Sequence, residues 1–243
     1  MKIILLLIAA VLPAALLWFY IWKKDPQKEP IRLLVKAVWY GIGIVVPVGI
    51  LEMGLQYLLF GEGQPTSLLG TTLMAFGVAA LSEELSKLFV LWLILRKNPY
   101  FNEHFDGIVY AVSIGLGFAA MENIGYLIEG DDQWIMTAVI RALLAVPGHY
   151  AYAVLMGYYY SIYHFVDRSP RTKISILLFP VVAHGVYDSL AMSGMVNDTV
   201  GGFAFLILIY FCVKLHKFVY HKMTEQVQRS KEEMNPINFT INK

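Results

Sequence analysis

Ser82-Glu83-Glu84-Leu85-Ser86-Lys87 lies inside an apolar run that reaches from Leu68 to Leu95. A run of that length crosses a bilayer core as a helix, and at that depth neither water nor a loop solvates two carboxylates and an ammonium. Each such charge costs roughly 2.5 to 3.5 kcal/mol at the centre of a spanning helix, so the unpaired trio costs on the order of 8 kcal/mol. A cost of that size points to function, and it makes this hexapeptide the feature around which the chain is organised.

The rest of the sequence supports a membrane setting. Of 243 residues, 58% are hydrophobic and 15% charged, a balance that leaves little room for a soluble domain. The predicted fold class is an all-α polytopic membrane protein with seven transmembrane helices. The expected spans are 3–22, 33–60, 68–95, 108–128, 134–166, 174–195 and 200–215. Basic residues gather in the loop 23–32 and then at Arg96, Lys97, Arg168, Arg171, Lys173 and Lys214 onward, whereas the opposite loops carry Glu62, Glu129, Asp131, Asp132 and Asp198. By the positive-inside rule the N-terminus lies outside and the C-terminus is cytoplasmic.

The first span is read as a retained anchor rather than a signal peptide, because the basic excess follows it. Residues 1–217 form the transmembrane domain, and 218–243 a short cytoplasmic tail, one helix followed by a disordered end. The lone Cys212 excludes an intramolecular disulfide and any multi-thiolate metal site. Gly115, Gly117, Ala119 and Ala120 suit the fourth span to an interior position. Pro147-Gly148 predicts a kink in the long fifth span, and Tyr158, Tyr159, Tyr160 and Tyr163 at its inner end read as an interfacial aromatic belt.

Four spans carry polar residues at comparable depth. Lys87 follows Glu83 by four positions and Glu84 by three, so it can reach back to either carboxylate on a helix. One carboxylate is then neutralised, and the other is suited to take and return a proton. A structural ion pair is the plainer reading. In the fourth span Glu122 stands beside Asn123: the amide can donate to an oxyanion or simply bond across helices, and the carboxylate can bind a cation or orient a histidine. His149 follows the Pro147-Gly148 break, where freed backbone groups can line a cavity, although a lone histidine there is more often a packing residue. His184 and Asp188 share one face of the sixth span, a spacing that fixes an imidazole tautomer or ligates one ion. At 1.5 Å per residue, Glu83 and Glu84 lie about 22 Å from the outer start of their helix, with His149 at similar depth. Glu52 and Arg141, matched in depth, are expected to pair structurally.

Taken together, Glu83-Glu84-x-x-Lys87, Phe118-x-x-x-Glu122-Asn123, His149 and His184-x-x-x-Asp188 resemble the motif set of the PrsW family of intramembrane proteases. More distantly they are similar to the CAAX prenyl proteases and the Abi family, whose Glu-Glu-x-x-x-Arg motif differs in the spacing of its cation. The resemblance implies a bacterial cytoplasmic-membrane enzyme that makes the first cut in a single-span anti-sigma factor and releases an envelope-stress sigma factor. It implies Glu83 or Glu84 as the base that activates a water, with His149, His184 and Asn123 as stabilisers or ligands. The partners are then a single-span substrate and the lipid bilayer, with no nucleic acid.

Whether Zn2+ takes part is open on the residues alone. If a metal is bound, His149 and His184 with Glu84, Glu122 or Asp188 are the ligands expected, whereas the likeness to the prenyl proteases favours a metal-free glutamate protease. The runner-up functions are a prenyl protease, a proton-coupled transporter and a non-catalytic membrane scaffold. A transporter would be expected to show repeated halves and broken helices in corresponding positions, and neither is visible in the sequence.

Overall fold

In lipid a backbone must satisfy its own hydrogen bonds, so apolar runs of membrane length become helices. The computed structural model describes residues 2–234, and in them seven long helices follow one another. They are α1 (Lys2–Lys24), α2 (Ile31–Phe60), a broken α3, α4 (Asp106–Glu129), a broken α5, α6 (Pro170–Met192) and α7 (Asp198–Met234). Helix α3 comprises Leu68–Leu73, a π-helical segment Met74–Ala80, and Leu81–Leu95. Helix α5 likewise comprises Trp134–Ile140, a π-helical segment Arg141–Ala145, and Val146–Phe165. Six of the seven are long and apolar enough to cross a membrane. The exception is α3, which its buried charges Glu83, Glu84 and Lys87 set apart.

Helix α4 is the axis of the bundle. Of its apolar window 78% is buried inside the protein, against 17% for α1, so the small residues of the fourth span do mark an interior helix. It packs against α1, α2, α3 and α5. Two of its glycines explain how closely. A Cβ on Gly117 would collide with the Val38 backbone of α2, and one on Gly107 with Gly157 and Ser161 of α5. Backbones that touch in this way leave no space for a larger residue.

The two π-helical segments have a positional meaning. Each adds a residue to its turn and re-aims everything after it, and they end just before Ser82-Glu83-Glu84 in α3 and just before His149 in α5. In α3 the Ser82 hydroxyl donates back to the carbonyls of Val78 and Ala79 and so takes up backbone acceptors that the wide turn frees. In α5 the irregularity lies upstream of the expected Pro147-Gly148 kink. Pro147 stands in the first turn of the resumed α-helix and returns no N–H to the π-helical turn before it.

Helix α7 does not end with the membrane-length segment but continues to Met234. Its Val219 and Met223 join the main core, and the Ser230 hydroxyl accepts from the Phe105 N–H at 3.0 Å. Tyr158, assigned above to an aromatic belt, is instead buried, its hydroxyl donating to Glu225 and accepting from Lys222. The expected disordered end falls partly on residues 235–243, outside the described residues.

Candidate active site

The charged residues of α3 face inward, towards α4, α5 and α6. Lys87 Nζ lies 2.8 Å from Glu83 Oε2 and 2.8 Å from Glu84 Oε1, so both carboxylates share one ammonium. The same ammonium donates to His149 Nδ1 at 3.2 Å and sits 4.1 Å from the centroid of the Phe118 ring. With Nδ1 accepting, the proton of neutral His149 is on Nε2, which faces Glu122 Oε2 at 2.8 Å.

The chain of contacts extends in both directions. Glu122 Oε2 also accepts from Arg141 Nη2 at 2.6 Å, and Arg141 Nε donates to Asn123 Oδ1 at 2.5 Å. On the other side His184 Nδ1 lies 3.0 Å from Glu84 Oε1 and its Nε2 lies 3.2 Å from Asp188 Oδ2. A doubly protonated imidazole satisfies both carboxylates. Tyr152 stacks on the His184 ring, centroids 4.7 Å apart. Every buried charge in this network therefore meets an opposite charge or a hydrogen-bond donor, the condition under which charges are tolerated in a membrane.

A cavity of about 480 Å³ opens beside this network. Glu52, Glu83, Glu122, Arg141, His149, Tyr152, His184 and Asp188 all line it, and its wall runs out to Gln56, Glu129 and Met192 near the ends of α2, α4 and α6. Of the two adjacent glutamates, Glu83 reaches the cavity. Glu84, fully buried, lies behind it, clamped between Lys87 and His184.

The sequence-derived candidates divide accordingly. Glu83, Glu84, Lys87, Glu122, His149, His184 and Asp188 come together in one network. Asn123 is turned away from the cavity: its Nδ2 donates to the Ala10 carbonyl of α1 at 3.1 Å while its Oδ1 holds Arg141. The expected Glu52–Arg141 pair does not form. Arg141 binds Glu122, whereas Glu52 Oε1 lies 3.3 Å from Ser82 Oγ. Depth alone could not choose between them, since Glu122 stands seven positions from the end of α4 and Arg141 seven from the start of α5. Arg141, Tyr152, Tyr126 and Tyr187 are cavity residues that the motif reading missed.

The same geometry tests a metal. Glu83, Glu84 and His149 present ligand atoms within 4.8 Å of one another, but those groups already converge on Lys87 Nζ. As arranged they do not fit a divalent ion, which would have to displace the ammonium. His184, the other expected ligand, spends its two nitrogens on Glu84 and Asp188.

With the geometry in place, comparison with known proteins is direct. The family model described as PrsW family intramembrane metalloprotease matches residues 29–215. Protease PrsW of Geobacillus kaustophilus is 36% identical over 190 residues, covering 77% of this chain and 80% of that protein. Protease PrsW of Clostridioides difficile is 31% identical over 232 residues, covering 93% of each, and that of Bacillus subtilis is 34% identical over 183 residues, covering 74% and 79%. No solved structure matches. An inward-facing charged cavity, a helical bundle built for lipid and relatives matched over most of their length lead to one conclusion: the chain belongs to the PrsW family and is an intramembrane peptidase of the bacterial inner membrane.

Proposed function

We propose that the cavity hydrolyses a peptide bond of a single-span anti-sigma factor, the first cut in its destruction, and thereby frees an envelope-stress sigma factor. Glu83 is the base. The observation that carries this reading is the division between the two glutamates: Glu83 reaches the cavity, while Glu84 is sealed behind it against Lys87 and His184.

The chemistry follows from that division. Glu83 takes a proton from a water whose oxygen attacks the scissile carbonyl carbon. Negative charge grows on the carbonyl oxygen, and we assign two cavity groups to receive it: the guanidinium of Arg141, held by Glu122 and Asn123, and the buried hydroxyl of Tyr152, which has no hydrogen-bond partner among the described residues. When the C–N bond breaks, Glu83 returns the proton to the leaving nitrogen. Lys87 holds both carboxylates in place, His149 links Lys87 to Glu122, and Asp188 orients His184. Because the donors are turned to Lys87, no step here runs through a metal ion.

The acidic loops lie at the end where the cavity opens, and the basic loops lie at the other. This supports an orientation with the N-terminus outside and the C-terminus inside, seven crossings, and a cut in the outer half of the bilayer. Co-expression with candidate single-span anti-sigma factors tests the function. Wild type yields a shortened substrate whose new terminus maps to the outer half of its span, and Glu83→Gln and His184→Ala yield none. Cleavage unaffected by both substitutions would end the protease reading, and a cut on the cytoplasmic side would reverse the orientation.

A further inference from the structure

At the other end of α4, away from the cavity, the loop between α1 and α2 meets the loop between α3 and α4. Four carboxylates are buried there: Asp25, Glu29, Glu103 and Asp106. Backbone N–H groups fix two of them through one oxygen each. Asp25 Oδ2 accepts from Glu29 N at 3.2 Å, and Asp106 Oδ2 accepts from Asn102 N and Glu103 N at 2.8 Å. Glu29 Oε2 accepts from the Tyr110 hydroxyl.

The remaining oxygens are bare. Among the described residues, Asp25 Oδ1 and Asp106 Oδ1 have no hydrogen-bond partner, and neither has either oxygen of Glu103, a residue only 4% exposed. Ligand oxygens of Asp25, Glu103 and Asp106 lie within 4.8 Å of one another. Lys28 acts on Asp25 only through space: its Nζ donates to the carbonyls of Trp22, Lys23 and Asp25 and bonds none of these oxygens. Burial of carboxylates without a counter-charge is among the costliest arrangements in a protein. Here two of them are held by the backbone with one free oxygen each, and a third, buried and unpartnered, points in among them.

We propose that Asp25, Glu103 and Asp106 bind a hard divalent cation, Mg2+, Mn2+ or Ca2+, which ties the two loops together at the first turn of α4. The donors are all carboxylate oxygens, the set that such ions prefer, and neither imidazole nor thiolate contributes as it would for zinc. Asp106 and Glu122 are sixteen positions apart on α4, or about 24 Å. The ion is therefore structural and does not touch the cavity, and the proposal stands independently of the peptidase reading.

The test uses the full chain in detergent micelles, stripped with chelator and titrated with Mn2+ while free Mn2+ is followed by electron paramagnetic resonance. One saturable site is expected, displaced by Mg2+ or Ca2+. Glu103→Gln, which removes a ligand charge without breaking any hydrogen bond, weakens Mn2+ binding by at least about tenfold, and Glu83→Gln leaves it unchanged. Should Glu103→Gln fail to fold, Asp25→Asn, which keeps an oxygen for the Glu29 N–H, gives the same readout. Absence of saturable binding in wild type, equal binding in the ligand variants, or loss of binding in Glu83→Gln would each overturn the proposal.

Discussion

Two groups of buried carboxylates stand at opposite ends of α4, and they solve the same electrostatic problem differently. The cavity group carries its own cations: Lys87 between Glu83 and Glu84, Arg141 on Glu122, and His184 between Glu84 and Asp188. The loop group has no side-chain cation among its bonds, and the lysine beside it is turned to backbone carbonyls. A membrane interior offers neither water nor ions, so its charges must be balanced within the fold. A loop at the aqueous boundary can draw its balance from solution. The first arrangement holds its carboxylates in fixed pairs, as the proposed chemistry requires, and the second leaves oxygens without a partner, as the proposed ion requires.

Removing a charge should accordingly have opposite effects at the two ends. Lys87→Met removes the ammonium that Glu83 and Glu84 share, leaving Glu84 only His184, and should cost about 3–5 kcal/mol, seen as a large fall in the unfolding midpoint or as failure to accumulate in the membrane. Unchanged stability would mean that the cavity group is solvated rather than internally balanced. At the loop end, Glu103→Gln in the presence of chelator should raise stability by about 1–3 kcal/mol, since it removes a buried charge that has no partner. A loss there would show that Glu103 has a counter-charge in the apo protein.

The loop group also predicts a pH dependence. Burial, reinforced by the charge of Asp25, pushes the Glu103 carboxyl up to about 7, and burial pushes Glu29 up to about 7. Both folded values exceed the usual 4.5, so folding favours the protonated forms. Their contribution to stability is complete below about pH 4.5 and is lost as pH rises through 7. Melts in chelator should fall across that window, and saturating Mn2+ should flatten the decline. The smallest effect is expected from Asp188→Asn. It leaves a neutral partner for His184 and should lower the cleavage rate by about tenfold with little change in the melt.

Much of this contrast was legible in the sequence at one end and little at the other. Glu83, Glu84, Lys87, His149, His184 and Asp188 stood out because charge inside an apolar run has no ordinary explanation. Asp25, Glu103 and Asp106 lie in or beside polar loops, where carboxylates are commonplace, and only the packing of two loops buries them. The helices were readable from their length and apolarity. The π-helical segments were not, because a widened turn leaves no mark in hydropathy, yet they aim Glu83 and His149. Asn123 illustrates the same limit: its position one residue beyond Glu122 suggested the site, but that step rotates it about 100° around the helix, onto α1.

The central claim is that Glu83, and not its neighbour, does the chemistry. The direct measurement is the single-turnover cleavage rate of a single-span substrate by purified wild type, Glu83→Gln and Glu84→Gln in the same micelles, each with its melting midpoint. The account predicts that Glu83→Gln keeps a near-native melt and loses about 10²- to 10⁴-fold in rate, whereas Glu84→Gln is mainly destabilised. A well-folded Glu83→Gln that still cleaves, beside a well-folded Glu84→Gln that does not, would contradict it.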